Sequence, residues 1–328
     1  MADPTQLVAE IESLGVRLAQ AKASINQRFI GQDKVVDQVL AAMLCGGHAL
    51  LVGLPGLGKT LLVDTLSTVM GLKGNRIQFT PDLMPADILG SEVLETAADG
   101  SRAFRFIEGP VFCQLLMADE INRASPRTQS ALLQAMQEGR VAVGGVDHPL
   151  PKPFHVLATQ NPIEQEGTYP LPEAQLDRFL LQVDVGYPDL QAERTMLLAT
   201  TGEATARARP VLGTEELMAA QRLIRRVPVG DTVVDAILAL VRGGRPETTG
   251  TDAVRRHVAW GPGPRAAQSL MLACRARAVL DGRLSPSLDD VAALAHPVLR
   301  HRMALNFSAR AEGVGLPDVI TGLVGQLV

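Results

Sequence analysis

The chain has 328 residues, of which 46% are hydrophobic and 20% are charged, and its formal net charge is −4. This composition predicts a globular protein of about two domains, and no apolar run approaches the roughly 18 residues that a membrane span requires. The slightly negative charge and the aromatic content of 3% argue against nucleic-acid binding.

The N-terminal part of the sequence predicts two helices. Apolar residues recur at three- and four-residue steps over residues 5–28, and a second helical pattern covers residues 33–44. Residues 1–4 lack the basic start and apolar core of an export signal, so we expect a cytoplasmic protein. The cysteines have no paired spacing, and we expect them to be reduced thiols in the core rather than disulfides or metal ligands.

Residues 53–60 fit the phosphate-binding pattern G-x-x-x-x-G-K-[ST] between a predicted strand at residues 49–52 and a helix predicted over residues 60–70. Glycines let backbone N–H groups turn toward phosphate oxygens, Lys59 can reach the terminal phosphates, and the Thr60 hydroxyl can ligate Mg²⁺. The predicted nucleotide-binding residues of this loop are Leu54, Pro55, Gly56, Leu57, Gly58, Lys59, Thr60 and Leu61. The loop therefore predicts a nucleoside triphosphate with Mg²⁺ as ligand.

Further apolar runs at residues 76–79, 114–118 and 154–158 alternate with helical patterns. This alternation predicts an α/β fold in which a parallel sheet is covered by helices on both faces. Two hairpin signals interrupt it, a polar turn at residues 98–101 and a Gly-Gly pair at residues 144–145. Both hairpins are expected to project from the sheet.

The second half of the sequence changes character after residue 188, where the apolar spacing becomes helical throughout. We therefore place a domain boundary there, with an α/β domain over residues 1–188 and a smaller all-α domain over residues 189–328. Residues 243–264 are rich in Gly, Pro and Arg and predict a long loop.

Adjacent acids follow the apolar run at residues 114–118, at the carboxyl edge of the predicted sheet, where ligands of such sheets bind. Asp119 could hold Mg²⁺ through water, and Glu120 could orient and deprotonate an attacking water. The next strand ends before Asn161, whose amide could hydrogen-bond the γ-phosphate and that water. Alone, these side chains could be a solvated strand cap and a turn former. Together with residues 53–60 they favour hydrolysis of the triphosphate.

The order and spacing of these motifs resemble the MoxR family of AAA+ ATPases over nearly the whole chain. The motifs that carry the resemblance are Ile-Gly-Gln at 30–32, the loop at 53–60, Asp-Glu-Ile-Asn-Arg at 119–123, Ala-Thr-Gln-Asn-Pro at 158–162, Glu-Ala-Gln-Leu-Asp-Arg-Phe at 173–179 and Pro-Arg at 264–265. Residues 261–265 read Gly-Pro-Gly-Pro-Arg, where the family usually has Gly-Ala-Ser-Pro-Arg. The resemblance implies an AAA+ P-loop core followed by a helical lid domain. The two hairpins match the helix-2 insert and the pre-sensor-1 hairpin that the family shares with magnesium-chelatase ATPase subunits.

The resemblance also implies roles for individual residues. Asn161 matches sensor 1, and Arg178 matches the arginine finger that enters the neighbouring subunit's site. Arg265 matches sensor 2 on the lid, and whether it acts in cis or in trans stays open. The residues alone favour plainer interpretations, in which Arg178 pairs with Asp177 or another nearby acid on the surface and Arg265 caps the loop that precedes its helix. Ile30 and Gly31 match the position where relatives pack around the adenine base, and the lack of an Asn-Lys-x-Asp run favours ATP over GTP.

The function implied by the resemblance is Mg²⁺-dependent ATP hydrolysis by a homo-oligomer, expected to be a hexameric ring. It would drive chaperone-like remodelling or maturation of a protein client, through metal-cofactor insertion or enzyme activation, with a von Willebrand factor A-domain protein as partner. The alternatives that stay open are the motor subunit of a metal chelatase, a nucleic-acid motor and a nucleotide switch that does not hydrolyse.

Overall fold

A computed structural model describes residues 4–96, 101–164, 167–201 and 207–327 of the chain. The helices are α1 (Pro4–Asn26), α2 (Asp33–Leu44), α3 (Lys59–Val69), α4 (Pro85–Leu89), α5 (Pro126–Glu138), α6 (Glu173–Leu176), α7 (Leu190–Thr201), α8 (Thr214–Ile224), α9 (Asp231–Gly243), α10 (Asp252–His257), α11 (Pro264–Leu280), α12 (Leu288–Leu299), α13 (Phe307–Ala311) and α14 (Leu316–Val324). The strands are β1 (Ala49–Gly53), β2 (Gly74–Gln78), β3 (Gly90–Thr96), β4 (Arg102–Glu108), β5 (Leu115–Asp119), β6 (Arg140–Val143), β7 (Val146–Pro149), β8 (His155–Gln160), β9 (Leu181–Val185), β10 (Val258–Trp260) and β11 (Ala304–Leu305). Within the described ranges, no helix combines the length and the apolar character that crossing a membrane requires.

The centre of the first half is a five-stranded sheet with the order β2-β5-β8-β1-β9, and all its neighbouring strands run parallel. Strands β5 and β8 are almost entirely buried, as expected for apolar strands covered on both faces. Because β8 lies between β5 and β1, the residues that follow these three strands meet at one edge of the sheet. The predicted α/β fold with a parallel sheet between helices is confirmed.

The two faces of the sheet bury two different apolar clusters. Successive residues of a strand point to opposite faces, so that Leu115 and Met117 lie in one cluster and Leu116 and Ala118 in the other. The first cluster also contains lid residues, and α1 contacts both α3 and α11. The core is therefore continuous across the boundary that we predict at residue 188. All three cysteines are free and buried, as the sequence predicts.

Two antiparallel hairpins, β3–β4 and β6–β7, form separate sheets outside the central one, where the sequence predicts insertions. Most of the turn predicted at residues 98–101 lies outside the described residues. The hairpins contact each other, since the Phe106 ring of β4 stacks on His148 of β7 with ring centroids 3.9 Å apart. The β3–β4 hairpin also carries Phe104, which is 71% exposed to solvent.

The structure corrects the prediction of a long loop over residues 243–264. This stretch contains the helix α10 and the strand β10, and β10 pairs antiparallel with β11. The second half is helical as predicted, apart from this short pair of strands. A three-residue strand has too few positions to show a periodicity, and its partner lies far along the chain, so the local pattern could not reveal it.

Candidate nucleotide-binding site

The loop between β1 and α3 has the backbone geometry of a phosphate cradle. Gly56 and Gly58 adopt positive φ angles of 83° and 75°, which glycine reaches without steric cost. Gly58 is the N-cap of α3, and a Cβ atom there would lie 3.3 Å from the Phe29 ring. The N-terminal N–H groups of α3 thus face the loop, and the positive end of a helix dipole attracts anions.

Lys59 opens α3, and its ammonium group lies against the loop itself. Nζ donates to the carbonyl oxygens of Gly53 at 2.6 Å and Leu54 at 2.7 Å. Burial lowers the pKa of Lys59, while the nearby carboxylates of Asp119 and Glu120 act in the opposite direction. A positive charge and two negative charges therefore share this edge of the sheet.

Asp119 is the last residue of β5, and Thr159 of the neighbouring strand β8 fixes its carboxylate. Thr159 Oγ1 donates to Asp119 Oδ1 at 2.6 Å and accepts from the Glu120 backbone N–H at 2.8 Å. Arg76 of β2 pairs with the other carboxylate oxygen of Asp119 at 2.5 Å. Contacts from both neighbouring strands therefore orient the two acids.

Glu120 is the only non-glycine residue with a positive φ among the described residues, at φ 55° and ψ 51°. Such a conformation costs about 1–3 kcal/mol and clusters at functional sites. Gln78 Nε2 donates to Glu120 Oε2 at 2.8 Å, and Arg123 Nη1 lies 3.2 Å from the same oxygen. Two polar side chains thus hold the carboxylate in a fixed direction.

Three residues that orient the acids are not predicted by the sequence motifs: Arg76, Gln78 and Thr159. Arg76 and Gln78 are two residues apart on β2, so they lie on the same face of that strand. Two polar residues at this spacing in the strand beside β5 were the only available signal. It could be interpreted only once the strand order was known.

A cavity of about 420 Å³, which we call the loop cavity, joins the loop to the acids. The residues that line it are Pro55, Gly56, Leu57, Gly58, Lys59, Thr60, Leu61, Arg76, Asp119, Glu120, Thr159 and Asn161. Asn161 is buried at 7% exposure, and its Oδ1 accepts from the Ile163 N–H at 3.2 Å. The Thr60 hydroxyl and the Asp119 carboxylate are the oxygen donors that Mg²⁺ prefers, so the residues of this cavity fit a magnesium-bound triphosphate.

The predicted adenine contacts, Ile30 and Gly31, lie in the turn between α1 and α2 and are not among the residues that line the loop cavity. Gly31 has a φ of 78°, and a Cβ atom there would lie 2.1 Å from the Cβ of Ala192 in α7. The turn therefore packs tightly against the first helix after residue 188. The contact of Ile30 and Gly31 with a base stays a prediction.

The structure brings Arg178 and Arg265 together in a different place. Both line a second cavity of about 230 Å³, which we call the arginine cavity, with Asp177 and Arg302 also in its wall. Arg265 lies in the first turn of α11, after Pro264, and its Nη1 is 3.7 Å from the Asp177 carboxylate. Among the described parts of the chain, no hydrogen bond or ion pair of the Arg178 guanidinium is found. Neither arginine lines the loop cavity.

His48 also lines the arginine cavity and gives the protein an expected sensitivity to acid. Its Nδ1 accepts from the Val156 N–H at 2.9 Å, so Nε2 carries the proton and points to the Met136 carbonyl oxygen at 3.3 Å. Burial, helped by the neighbouring His155, lowers the pKa of His48 from 6.5 to about 3. The folded ring is therefore neutral at pH 5, whereas the ring in the unfolded chain is charged.

Because His48 binds a proton below pH 6.5 in the unfolded chain but not in the folded one, its contribution to the free energy of unfolding is fully present above that pH and is lost as the pH falls toward 3. We expect the free energy of unfolding, measured by urea titration, to fall between pH 7 and pH 5, with about 1 kcal/mol of that loss due to His48 after allowance for its partial exposure. The His48→Asn variant, which keeps an acceptor for Val156, should lose less over the same range. An equal loss in both proteins would contradict this account.

Comparison with known proteins agrees with this geometry. The family described as "ATPase family associated with various cellular activities (AAA)" matches residues 48–181, and a family described as an AAA lid domain matches residues 251–321. The first match covers β1, the loop cavity and the arginine at position 178. The second covers α11 with Arg265.

Similar proteins extend the match to nearly the full length. A chaperone named MoxR1 from Mycobacterium tuberculosis is 41% identical over 98% of this chain and 83% of its own length. The protein MoxR from Paracoccus denitrificans is 31% identical over 91% of each chain. A crystal structure from Cytophaga hutchinsonii, of a protein provisionally described as an ATPase, has 34% identity and a TM-score of 0.88 over 96% of both chains.

Proposed function

Because the chain belongs to the MoxR family of AAA+ ATPases, we propose that it hydrolyses ATP as a hexameric ring and uses the energy to remodel or mature a protein complex. The name of the mycobacterial relative, a chaperone, supports work on a protein client. We place this work in the cytoplasm, where the client would be matured by insertion of a metal cofactor or by activation of an enzyme. The proposed partner is a von Willebrand factor A-domain protein. The two hairpins outside the central sheet are the elements proposed to reach the client.

The loop cavity supports binding of ATP with Mg²⁺. Lys59 would exchange the carbonyl oxygens of its own loop for phosphate oxygens, which carry full negative charge. Thr60 and Asp119 would hold Mg²⁺, directly and through water. The ion would neutralise part of the charge on the phosphates.

Glu120 is the proposed general base. Its carboxylate lines the loop cavity and is held by Gln78 and Arg123, so one oxygen faces a fixed direction at the cavity wall. From there it would orient a water and take its proton as that water attacks the γ-phosphate. Asn161, in the same wall, would hydrogen-bond the γ-phosphate and the water.

The observation that carries the proposal of a ring is the separation of the two cavities. Arg178 and Arg265 line the arginine cavity, whereas Lys59 and Glu120 line the loop cavity of the same chain. The one arginine in the loop cavity, Arg76, is already paired with a carboxylate. A head-to-tail ring, in which the arginine cavity of one subunit meets the loop cavity of the next, would supply both arginines in trans. Charge that develops on the γ-phosphate would then be stabilised only in the assembled protein.

The test is the ATPase rate per subunit as a function of protein concentration. We expect this rate to rise as the chains assemble and to fall on dilution, with the assembly followed by analytical ultracentrifugation. The Lys59→Ala variant, in which the phosphate contact is removed, gives the background rate. Full turnover by a monomer at every concentration would exclude a site that two subunits share.

A further inference from the structure

Arg302 lies in the loop after α12 and is 1% exposed. It has the largest volume among the fully buried side chains of the described residues. Its guanidinium holds the segment of residues 177–180, which carries Arg178. Nε donates to the Asp177 carboxylate at 2.7 Å, and the Nη groups donate to the carbonyl oxygens of Phe179 at 2.6 Å and Leu180 at 3.1 Å. This one lid side chain therefore bonds to both neighbours of Arg178.

The same guanidinium is bonded on the lid side. It donates to the Val298 carbonyl oxygen at 2.7 Å and to the Ser269 hydroxyl at 3.2 Å. Ser269 lies four residues after Arg265 on α11, and both line the arginine cavity, so they share one face of that helix. Arg302 thus connects the face of α11 that carries Arg265 to the segment that carries Arg178.

The segment is anchored in the α/β domain as well as to the lid. The Phe179 side chain is fully buried in the second apolar cluster, and its carbonyl oxygen also lies 3.0 Å from His301 Nε2. A buried guanidinium that loses its carboxylate partner is left as an unpaired charge, which is strongly unfavourable. Breaking the contact between Arg302 and Asp177 is therefore disfavoured, and this contact should keep the lid and the segment in one fixed arrangement.

We propose that Arg302 is a positioning residue for ATP hydrolysis, which holds Arg178 and Arg265 in one arrangement and so presents both together to the next subunit. The inference rests on the proposed role of the two arginines in trans. Arg302 touches neither nucleotide nor water in this account. It acts on the neighbouring site through the segment of residues 177–180 and through α11.

The test uses Arg302→Lys, which keeps the charge but cannot make the forked set of hydrogen bonds. We expect kcat to fall about a hundredfold, as for a small displacement of a catalytic group, while the affinity for a fluorescent ATP analogue stays unchanged. The variant should also behave like Arg178→Ala in mixtures. Activity should return when it is mixed with Lys59→Ala subunits, whose arginines are intact, and should not return when it is mixed with Arg178→Ala subunits.

A matched control separates positioning from stability. Arg283 makes a forked ion pair with Asp290, which is fully buried in the lid. The Arg283→Lys variant should lower the melting temperature and leave kcat unchanged. If Arg302→Lys does not fold, Arg302→Gln takes its place, because it buries no charge and leaves Asp177 paired with Arg265, and the same mixtures are measured.

Three outcomes would overturn the inference. In the first, Arg302→Lys or its substitute has full activity. In the second, the variant loses affinity for the ATP analogue, or its mixture with Lys59→Ala stays inactive while the mixture of Arg178→Ala with Lys59→Ala is active. That result would exclude the role of Arg302 and leave the role of Arg178 in trans intact. In the third, the reference mixture of Arg178→Ala with Lys59→Ala is itself inactive, so that the proposed role in trans fails and the inference fails with it.

Discussion

Mixing Arg178→Ala subunits with Lys59→Ala subunits is expected to restore ATP hydrolysis that neither variant shows alone. Each pure variant should lose about a thousandfold or more in rate, because one lacks the arginine and the other lacks the phosphate-binding lysine. The two residues line different cavities of one chain. In a mixed ring, an Arg178→Ala subunit with an intact loop cavity can therefore meet the intact arginine cavity of a Lys59→Ala neighbour.

The rate should be measured over a series of mixing ratios. With random mixing at equal amounts, about a quarter of the interfaces combine an intact loop cavity with an intact arginine cavity, so recovery should peak near that ratio. A mixture of Arg178→Ala with Arg265→Ala is the informative second case. It should stay inactive if both arginines act from the same side of the interface. Absence of recovery at every ratio in the first mixture would exclude Arg178 as a residue that acts in trans.

Replacing Glu120 by Gln is expected to stop hydrolysis and to leave ATP binding intact. A glutamine has nearly the same shape and still accepts the hydrogen bond that Gln78 donates to this side chain. It cannot take a proton from water, and loss of a general base costs about 10² to 10⁴ in rate. Single-turnover hydrolysis should therefore slow by that factor, while ATP affinity measured by calorimetry changes little.

Glu215→Gln is the matched control, because Glu215 is exposed in the first turn of α8 and outside both cavities. It should hydrolyse ATP at the normal rate. Turnover by Glu120→Gln at the control rate would remove Glu120 from the proposed mechanism. If turnover stops as expected, the ATP-loaded Glu120→Gln ring is also the form in which to isolate the client by affinity capture.

Local patterns in the sequence were sufficient to predict the strands and helices of the core and the phosphate loop. Strand and helix alternate because apolar residues repeat at the periods of those structures, and the phosphate loop follows from glycines at fixed spacing. Asp119 and Glu120 could be assigned to the same sheet edge as the loop because parallel strands end at that edge. The hairpin β6–β7 was likewise visible from its Gly-Gly turn.

Which distant residues share a site could not be predicted from these local patterns. The sequence order of Arg178 and Arg265 does not show that both lie in one cavity, apart from Lys59. Nor does it show that Arg302 is buried against the segment that carries Arg178. Periodicity reports the neighbours of a residue along its own helix or strand, whereas these contacts arise when the lid helices pack against the sheet. That packing depends on the shapes of many side chains at once and leaves no repeat in the sequence.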